Sequence, residues 1–202
     1  MKGRVVVLSA LGGREAAALL VNGRLEDLLV AAPEDGPPAP GAIFRGIVDR
    51  PMKGQGGVFL KLPEGGRAFL RETRGLRPGQ PLLVQVTGYA EPGKAVPVTS
   101  RLLFKSRHAI VTPDAPGLNL SRRVRDAAER ARLSAIAEAA MAGSGMGLIL
   151  RSAAAGAGDD EIAADIAAMR DLAQRVTADP GRGPELLLDG PGPHELAWRD
   201  WA

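Results

Sequence analysis

The sequence predicts an α+β protein of several small subdomains, in which a five-stranded β-barrel precedes an α/β unit. Three observations predict this organisation. Short β-prone runs separated by Gly and Pro fill residues 42–100, a Pro/Gly-rich segment at 33–41 precedes them, and helix-forming runs dominate after residue 120. Aromatic residues are only 3% of the 202 residues, which favours several small cores over one large core.

The N-terminal part predicts a strand followed by a β-hairpin. The strand is RVVVLSA, and the hairpin is EAAALLVNGRLEDLLVA, with Asn22-Gly23 as its turn. The segment PEDGPPAPG at 33–41 continues neither helix nor sheet, so we expect a linker there.

Five short runs follow the linker, and their number favours a closed barrel of the OB type. Closure of a small sheet removes its exposed edges, so a barrel is favoured over an open sheet. The predicted strands are AIFRGIVDRPM, GGVFLKL, RAFLRE, QPLLVQVTGY and AVPVTSRLL.

The pattern changes near residue 101 to strands alternating with helices. RLLFKSRHAIVTP predicts one strand, and SRRVRDAAERARLSAIAEAAMA predicts a helix with Ser121 as its N-cap. GMGLILRSAAAGAG predicts a buried strand and a loop, and DDEIAADIAAMRDLAQRV predicts a helix capped by Asp159 or Asp160. ELLLD predicts a last strand, and PHELAWRDWA the start of a helix.

Composition excludes several classes of site. The chain has no cysteine, so disulfides, thiolate zinc sites and cysteine nucleophiles are excluded. Its net charge of +3 permits a polyanionic partner without requiring one. No run approaches the ~20 apolar residues that span a bilayer, and the N-terminal apolar run is too short for a signal peptide. We therefore expect a cytoplasmic protein without a membrane span.

Two of the four phenylalanines, Phe59 and Phe69, fall on the second and third predicted barrel strands. In an OB barrel this face binds oligonucleotides, and bases stack on such rings while cations contact phosphates. Arg67 lies on the third strand, and Lys94 lies in a loop at the same end. The pattern alone leaves open whether the rings form a stacking platform or fill the barrel core.

Two other cationic places could bind phosphate. Arg151 and Ser152 end a predicted strand before a glycine-containing loop, which suits a terminal phosphate, although the Gly-Lys-Ser/Thr of a P-loop is missing. Arg122 and Arg123 fall at the predicted start of a helix, where cations are disfavoured unless an anion binds. The structural alternatives are a plain strand–helix turn and a solvated helix face.

No complete catalytic or metal site is predicted. The carboxylates near residue 160 run along a helix start, where capping and solvation explain them, and no carboxylate set converges as Mg²⁺-assisted chemistry requires. His108 is expected to be a strand residue rather than a catalyst.

Together these segments resemble the ribonuclease E/G family over essentially the whole chain. The most specific pieces are GGVFLKLPEGGRAFL, GQPLLVQV followed by GKAVPVTSRL, LSRRV, and GMGLILRSAAAGA before a helix. The resemblance implies an OB-type RNA-binding domain of the ribosomal S-one kind, inserted into an RNase H-like fold and followed by a 5′-sensor subdomain. The implied boundaries are 1–38, 39–103 and 104–182, with 183–202 returning to an incomplete RNase H-like part.

The resemblance also implies roles for individual residues. It places Phe59 and Phe69 at the RNA-stacking positions, which favours the platform over the core interpretation. It implies RNA contacts for Lys94, and 5′-monophosphate binding for the following four residues: Arg151, Ser152, Arg122 and Arg123. Ser152 stands where a threonine is usual, and the loop after it lacks the usual lysine, so weaker phosphate binding is expected.

The chain ends before the DNase I-like subdomain that holds the family's Mg²⁺-binding aspartates. We therefore expect no catalytic residue, metal site or cofactor in this chain, with Mg²⁺ expected for a full-length family enzyme, which could be a homo-oligomer. Both a piece of a longer protein and a naturally short homologue agree with the sequence.

Three functions follow from the sequence. The first is the RNA-binding portion of an endoribonuclease that acts on single-stranded RNA in rRNA processing and mRNA decay and senses 5′-monophosphates. The second is a non-catalytic RNA-binding module or adaptor. The third is a protein-interaction barrel indifferent to RNA.

Overall fold

The computed structural model describes residues 2–51, 56–71 and 75–202. Three antiparallel strands come first, β1 (Arg4–Leu11), β2 (Arg14–Val21) and β3 (Arg24–Val30), in sequential order. Asn22 and Gly23 join β2 to β3 with φ of 52° and 79°. Positive φ at both central residues is what a type I′ hairpin turn requires. The predicted hairpin is confirmed.

Five strands then close into a barrel. They are β4 (Ile43–Pro51), β5 (Val58–Lys61), β6 (Arg67–Leu70), β7 (Pro81–Val86) and β8 (Val96–Thr99). Their order is β4-β5-β6-β8-β7, and pairing of β7 with β4 closes the circle. Only the β6–β8 pair among these is parallel. The predicted five-stranded, OB-type barrel within an α+β protein is confirmed.

A mixed sheet under two helices follows the barrel. Its strands are β9 (Phe104–Lys105), β10 (Ala109–Thr112), β11 (Gly117–Leu120) and β12 (Gly147–Leu150), in the order β11-β12-β10-β9. The helices α1 (Ala127–Ala140) and α2 (Asp159–Thr177) share one core with this sheet. The segment predicted as one strand is therefore two strands, β9 and β10, and β11 was not predicted at all.

Both predicted helix caps are wrong. The side chain of Asp126, not Ser121, caps α1 by accepting a hydrogen bond from the Glu129 backbone N–H at 2.8 Å. Ser121 instead accepts a hydrogen bond from the Arg123 backbone N–H at 3.3 Å, within a turn that precedes the helix. Gly158 is the N-cap of α2, so Asp159 and Asp160 lie in the first turn. Carboxylates in a first turn complement the helix dipole without capping the helix.

The last two elements return to the first two sheets. Strand β13 (Glu185–Leu188) pairs antiparallel with β4, and helix α3 (Pro193–Asp200) packs on β2. The His194 backbone N–H donates to a Glu15 carboxylate oxygen at 2.6 Å. The Nε2 atom of its ring lies 3.0 Å from the carbonyl oxygens of both Ser9 and Ala16. None of the helices described is long and apolar enough to cross a membrane.

Candidate nucleic-acid interface

The side chains of β5 and β6 alternate between the barrel core and its outer surface. Val58 and Leu60 on β5 are buried, as are Ala68 and Leu70 on β6. The phenylalanines lie between these buried residues, directly opposite each other in the ladder, and both are partly exposed. Successive strand residues point to opposite faces, so both rings lie on the outer face of the barrel.

The two rings form a tilted pair with a cation on one of them. The ring centroids of Phe59 and Phe69 are 5.4 Å apart, with 57° between their planes. The guanidinium carbon of Arg67 lies 4.4 Å from the Phe59 centroid, within the range of a cation–π contact. The guanidinium thus covers one face of the Phe59 ring, and a base that stacks on that face has to displace it, whereas this contact leaves the Phe69 ring uncovered.

The lack of a side chain at Gly57 leaves room for the ring of Phe69. A Cβ atom at Gly57 would lie 2.3 Å from Cζ and 2.5 Å from Cε2 of that ring. The φ of Gly57 is not positive, so its backbone conformation does not require glycine. The absent side chain instead lets the ring lie against the start of β5.

The aromatic pair forms part of a groove of about 910 Å³. Strands β5 and β6 contribute the phenylalanines and Arg67, and the segment before β4 contributes Pro37 and Pro38. Residues 90–96 come from the loop between β7 and β8 and from the first residue of β8. The predicted RNA-binding residues, including Lys94, thus lie together in one groove. The sequence interpretation missed the two prolines, although their segment was recognised as a linker.

The charges around the groove favour an anion. Lys61 and Arg67 are directly opposite in the β5–β6 ladder and both are exposed. Like charges opposite each other destabilise a sheet, and a polyanion relieves that repulsion. Lys94 forms an exposed ion pair with Glu91 at 2.6 Å. Such an exposed pair is weak, so Lys94 is available to exchange its partner for a phosphate.

Arg151, the predicted phosphate ligand, already holds a carboxylate. Its Nη1 donates to the carbonyl oxygens of Ser106 at 2.6 Å and Arg199 at 3.2 Å, and its Nη2 donates to Asp200 Oδ1 at 2.5 Å. Burial opposes ionisation of Asp200, but hydrogen bonds from Arg199 and Arg151 outweigh it and lower the pKa of the carboxyl. The Arg151 side chain is one-quarter exposed.

The contacts of Arg151 belong to the docking of α3. Arg107 donates from Nη1 to the Trp198 carbonyl oxygen at 2.9 Å, and its guanidinium carbon lies 5.0 Å from the centroid of the Trp198 ring system. Arg107 and Arg151 thus bind carbonyl groups at the C-terminal end of α3, where the helix dipole favours cations. Arg151 therefore has a structural role in this structure.

The loop after Ser152 also binds a carboxylate of the protein itself, that of Glu129. Glu129 accepts the Gly156 backbone N–H at 3.0 Å and binds Arg132 at 2.6 Å and 2.9 Å. The hydrogen bond from Arg132, followed by that from Gly156, lowers the pKa of Glu129 to about 2. Arg132 also binds Asp159, next to this loop. Ser152 itself is half-buried at the start of a short 3-10 turn.

Arg122 and Arg123 are exposed in the turn ahead of α1. Because α1 begins at Ala127, neither arginine lies in its first turn. The helix dipole therefore gives no reason for an anion at these two side chains. They remain two solvent-facing cations.

The carboxylates near residue 160 do not fit a magnesium ion. Asp165 accepts hydrogen bonds from the Ser106 hydroxyl at 2.7 Å and the His108 backbone N–H at 2.9 Å, and it lies 3.1 Å from His108 Nδ1. His108 is buried in the turn before β10, not within a strand as predicted. Over residues 2–51, 56–71 and 75–202, no group of three or more His, Asp or Glu residues could hold a metal.

The strand order and the aromatic groove define an OB-type barrel protein, with an α/β unit after the barrel. The sequence model of the Ribonuclease E/G family matches residues 104–202. Over 86% of its length the chain is 28% identical to a protein named Ribonuclease E from Nostoc sp.. Over 87% it is 29% identical to a Ribonuclease E from Synechocystis sp.. The match over residues 104–202 and the similarity to these two relatives support the ribonuclease E/G family for this chain.

The matched region is a small part of these relatives. It covers 27% of the Nostoc protein and 28% of the Synechocystis protein. A Ribonuclease G from Haemophilus influenzae is 32% identical over 50% of this chain, which corresponds to 20% of that relative.

Proposed function

We propose that this chain binds single-stranded RNA in the groove beside Phe59 and Phe69, as the RNA-recognition portion of a ribonuclease E/G-type endoribonuclease. The observation that carries the proposal is an aromatic pair on the outer face of the second and third strands of an OB-type barrel, with Arg67 and Lys94 in the same groove. RNA cleavage, and any role in RNA processing and decay, would belong to the larger protein.

The physical basis is that stacking and charge neutralisation act together. A base stacked on an aromatic side chain contributes ~1–3 kcal/mol, and it does so only where the ring is accessible. The repulsion between Lys61 and Arg67 is relieved when phosphates lie between them. The same contacts do not depend on base identity, so we expect tolerance of RNA sequence.

Phe59→Ala and Phe69→Ala test this proposal. Each is expected to weaken binding of 5′-hydroxyl single-stranded RNA by ~1–3 kcal/mol in fluorescence anisotropy, because each removes a stacking surface. Tm should change little, because the rings lie outside the core. Trp198→Ala is the matched control, since Trp198 is also an exposed aromatic residue with an arginine over it but lies outside the groove. Unchanged RNA affinity in both phenylalanine variants contradicts the proposal.

We further propose that Arg151 and Ser152 bind a 5′-terminal monophosphate in place of Asp200. At pH 7 a terminal phosphate carries a charge of about −1.5 to −2, whereas the aspartate carries one negative charge. The dianion therefore competes well for the guanidinium, and the Ser152 hydroxyl supplies another donor. Arg122 and Arg123 would attract the phosphate as exposed cations.

The test compares 5′-monophosphorylated with 5′-hydroxyl RNA of one sequence at one ionic strength. Tighter binding of the phosphorylated RNA, abolished by Arg151→Gln, is expected. Equal affinities for the two RNAs would leave Arg151 with its structural role at α3 only.

A non-catalytic binding module or adaptor is the second candidate, favoured by the side-chain contacts that already engage Asp159 and Asp165. Incubating the purified chain with Mg²⁺ and single-stranded AU-rich RNA tests whether this chain alone cleaves RNA. Binding without cleavage agrees with both candidates, whereas cleavage that persists through purification contradicts both.

A further inference from the structure

The groove is bounded by two parts of the chain that are distant in sequence. The barrel face with the phenylalanine pair lines it, and so do Pro37 and Pro38 from the segment between β3 and β4. Residues 90–96 complete the lining. The aromatic pair thus shares its groove with a pair of prolines.

The segment that carries the prolines is held in place at its end. The Gly41 backbone N–H donates to the Val86 carbonyl oxygen at 2.9 Å, and Gln85 Nε2 donates to the Gly41 carbonyl oxygen at 3.0 Å. On another side, Ala39 packs so closely on Gly190 that a Cβ at Gly190 would lie 2.8 Å from the Ala39 Cβ. The barrel and the returning chain therefore both fix this segment.

Proline adds its own rigidity to this arrangement. Its ring locks φ, and the residue before a proline is restricted as well, so Pro37-Pro38 has few conformations to lose on binding. A preorganised apolar surface binds a ligand at a lower entropic cost than a flexible one.

We propose that Pro37 and Pro38 form the second wall of the RNA site and enclose an unpaired base against the aromatic pair. This inference rests on the proposed RNA binding and assigns its ligand more closely. A base can enter such a slot only if its flat face is free, which is true of a single strand and untrue within a stacked duplex. The exposed cations Arg67 and Lys94 then contact the backbone of the same strand.

The test is the variant Pro37→Ala/Pro38→Ala, assayed with short single-stranded oligouridine by fluorescence anisotropy. Loss of the two prolyl rings is expected to weaken binding by about five- to tenfold, because apolar contact with the base is lost. Pro33→Ala is the matched control, since Pro33 is exposed in the same segment and does not line the groove. Affinity is calculated per folded molecule, with folding checked by circular dichroism.

A double-mutant cycle with Phe69→Ala supplies a readout that a purely structural role would not change. If the prolines and the ring enclose one base, the effect of the proline variant should largely disappear once Phe69 is removed. The inference is overturned if the proline variant weakens RNA binding as much in the Phe69→Ala background as in the wild-type chain. It is also overturned if the proline variant does not weaken binding in the wild-type chain, or if Pro33→Ala weakens it equally. Wild-type chain that fails to bind oligouridine, or binding insensitive to both phenylalanine variants, instead refutes the proposed function.

Discussion

Gly57→Ala should displace the ring of Phe69 and weaken RNA binding without changing any group that contacts RNA. The new Cβ would lie 2.3 Å from the ring Cζ. Carbon atoms in contact are ordinarily ~3.5–4.0 Å apart, so the ring has to move by about 1.2 Å or more. A ring displaced that far no longer lies in its stacking position.

The free energy that one base–ring stack contributes to RNA binding is the upper limit of the expected loss of binding free energy. Complete loss of one base–ring contact costs ~1–3 kcal/mol of binding free energy, so Gly57→Ala should lose that amount or less. Overpacking in a core costs ~1–3 kcal/mol of stability. The partly exposed ring of Phe69 can turn towards solvent, but the new Cβ would also lie 2.9 Å from the Leu70 backbone carbonyl oxygen, so the backbone has to shift as well. We therefore expect a loss of RNA affinity per folded molecule together with a fall in Tm.

The assay is fluorescence anisotropy with 5′-hydroxyl single-stranded RNA, paired with thermal denaturation. Gly88→Ala is the matched control, because the Cβ at Gly88 would meet only Pro97 Cγ, at an ordinary 3.9 Å. In a Phe69→Ala background Gly57→Ala should have almost no further effect on RNA affinity. The reasoning is refuted if the loss is the same with and without the ring, or if Gly88→Ala produces it too.

Three further predictions concern charged groups. Asp200→Asn removes the anion held by Arg151, so affinity for 5′-monophosphorylated RNA should rise while affinity for 5′-hydroxyl RNA stays constant. An unchanged ratio of these two affinities would contradict competition between Asp200 and the phosphate for Arg151. The hydrogen bond from Arg132 lowers the pKa of Glu129 from 4.5 to about 2, so the stabilisation is complete above pH 4.5 and is lost as pH falls towards 2. Glu129→Gln should flatten the fall of Tm in that window, and identical pH profiles would exclude this contribution. Arg45→Met leaves two carboxylate partners of a buried guanidinium unpaired, so calorimetry should show a lower Tm with unchanged RNA affinity; an unaltered Tm would contradict this.

Local signals in the sequence were sufficient for much of the fold. Asn22-Gly23 specifies its turn because both residues tolerate positive φ, and the structure has positive φ at both. The alternation around Phe59 and Phe69 also contained the answer to whether the rings fill the core. Each has a buried aliphatic residue on both sides along its strand, which is the period-two pattern of an outward-facing residue.

Other features depend on partners that are distant in the sequence. Strand β11 (Gly117–Leu120) exists because it pairs in parallel with β12, and its short sequence has little strand signal of its own. The α1 cap was misplaced because Ser121 and Asp126 are both good N-cap residues, and only the turn at residues 121–123 decides between them. The carboxylate at Arg151 comes from Asp200, 49 positions away, so local pattern could not reveal it.

The packing of α3 on β2 has a consequence for the order in which the chain can fold during synthesis. Strands β1 to β3 emerge from the ribosome before the barrel, but the helix that packs on them, with His194 bonded to Glu15, is made more than 160 residues later. The barrel and the α/β unit complete their own pairings within that interval, and domains generally fold as units in the order of their synthesis. The N-terminal sheet therefore has to remain incompletely packed while the rest of the protein folds. A sheet that is made before the barrel is thus completed after it.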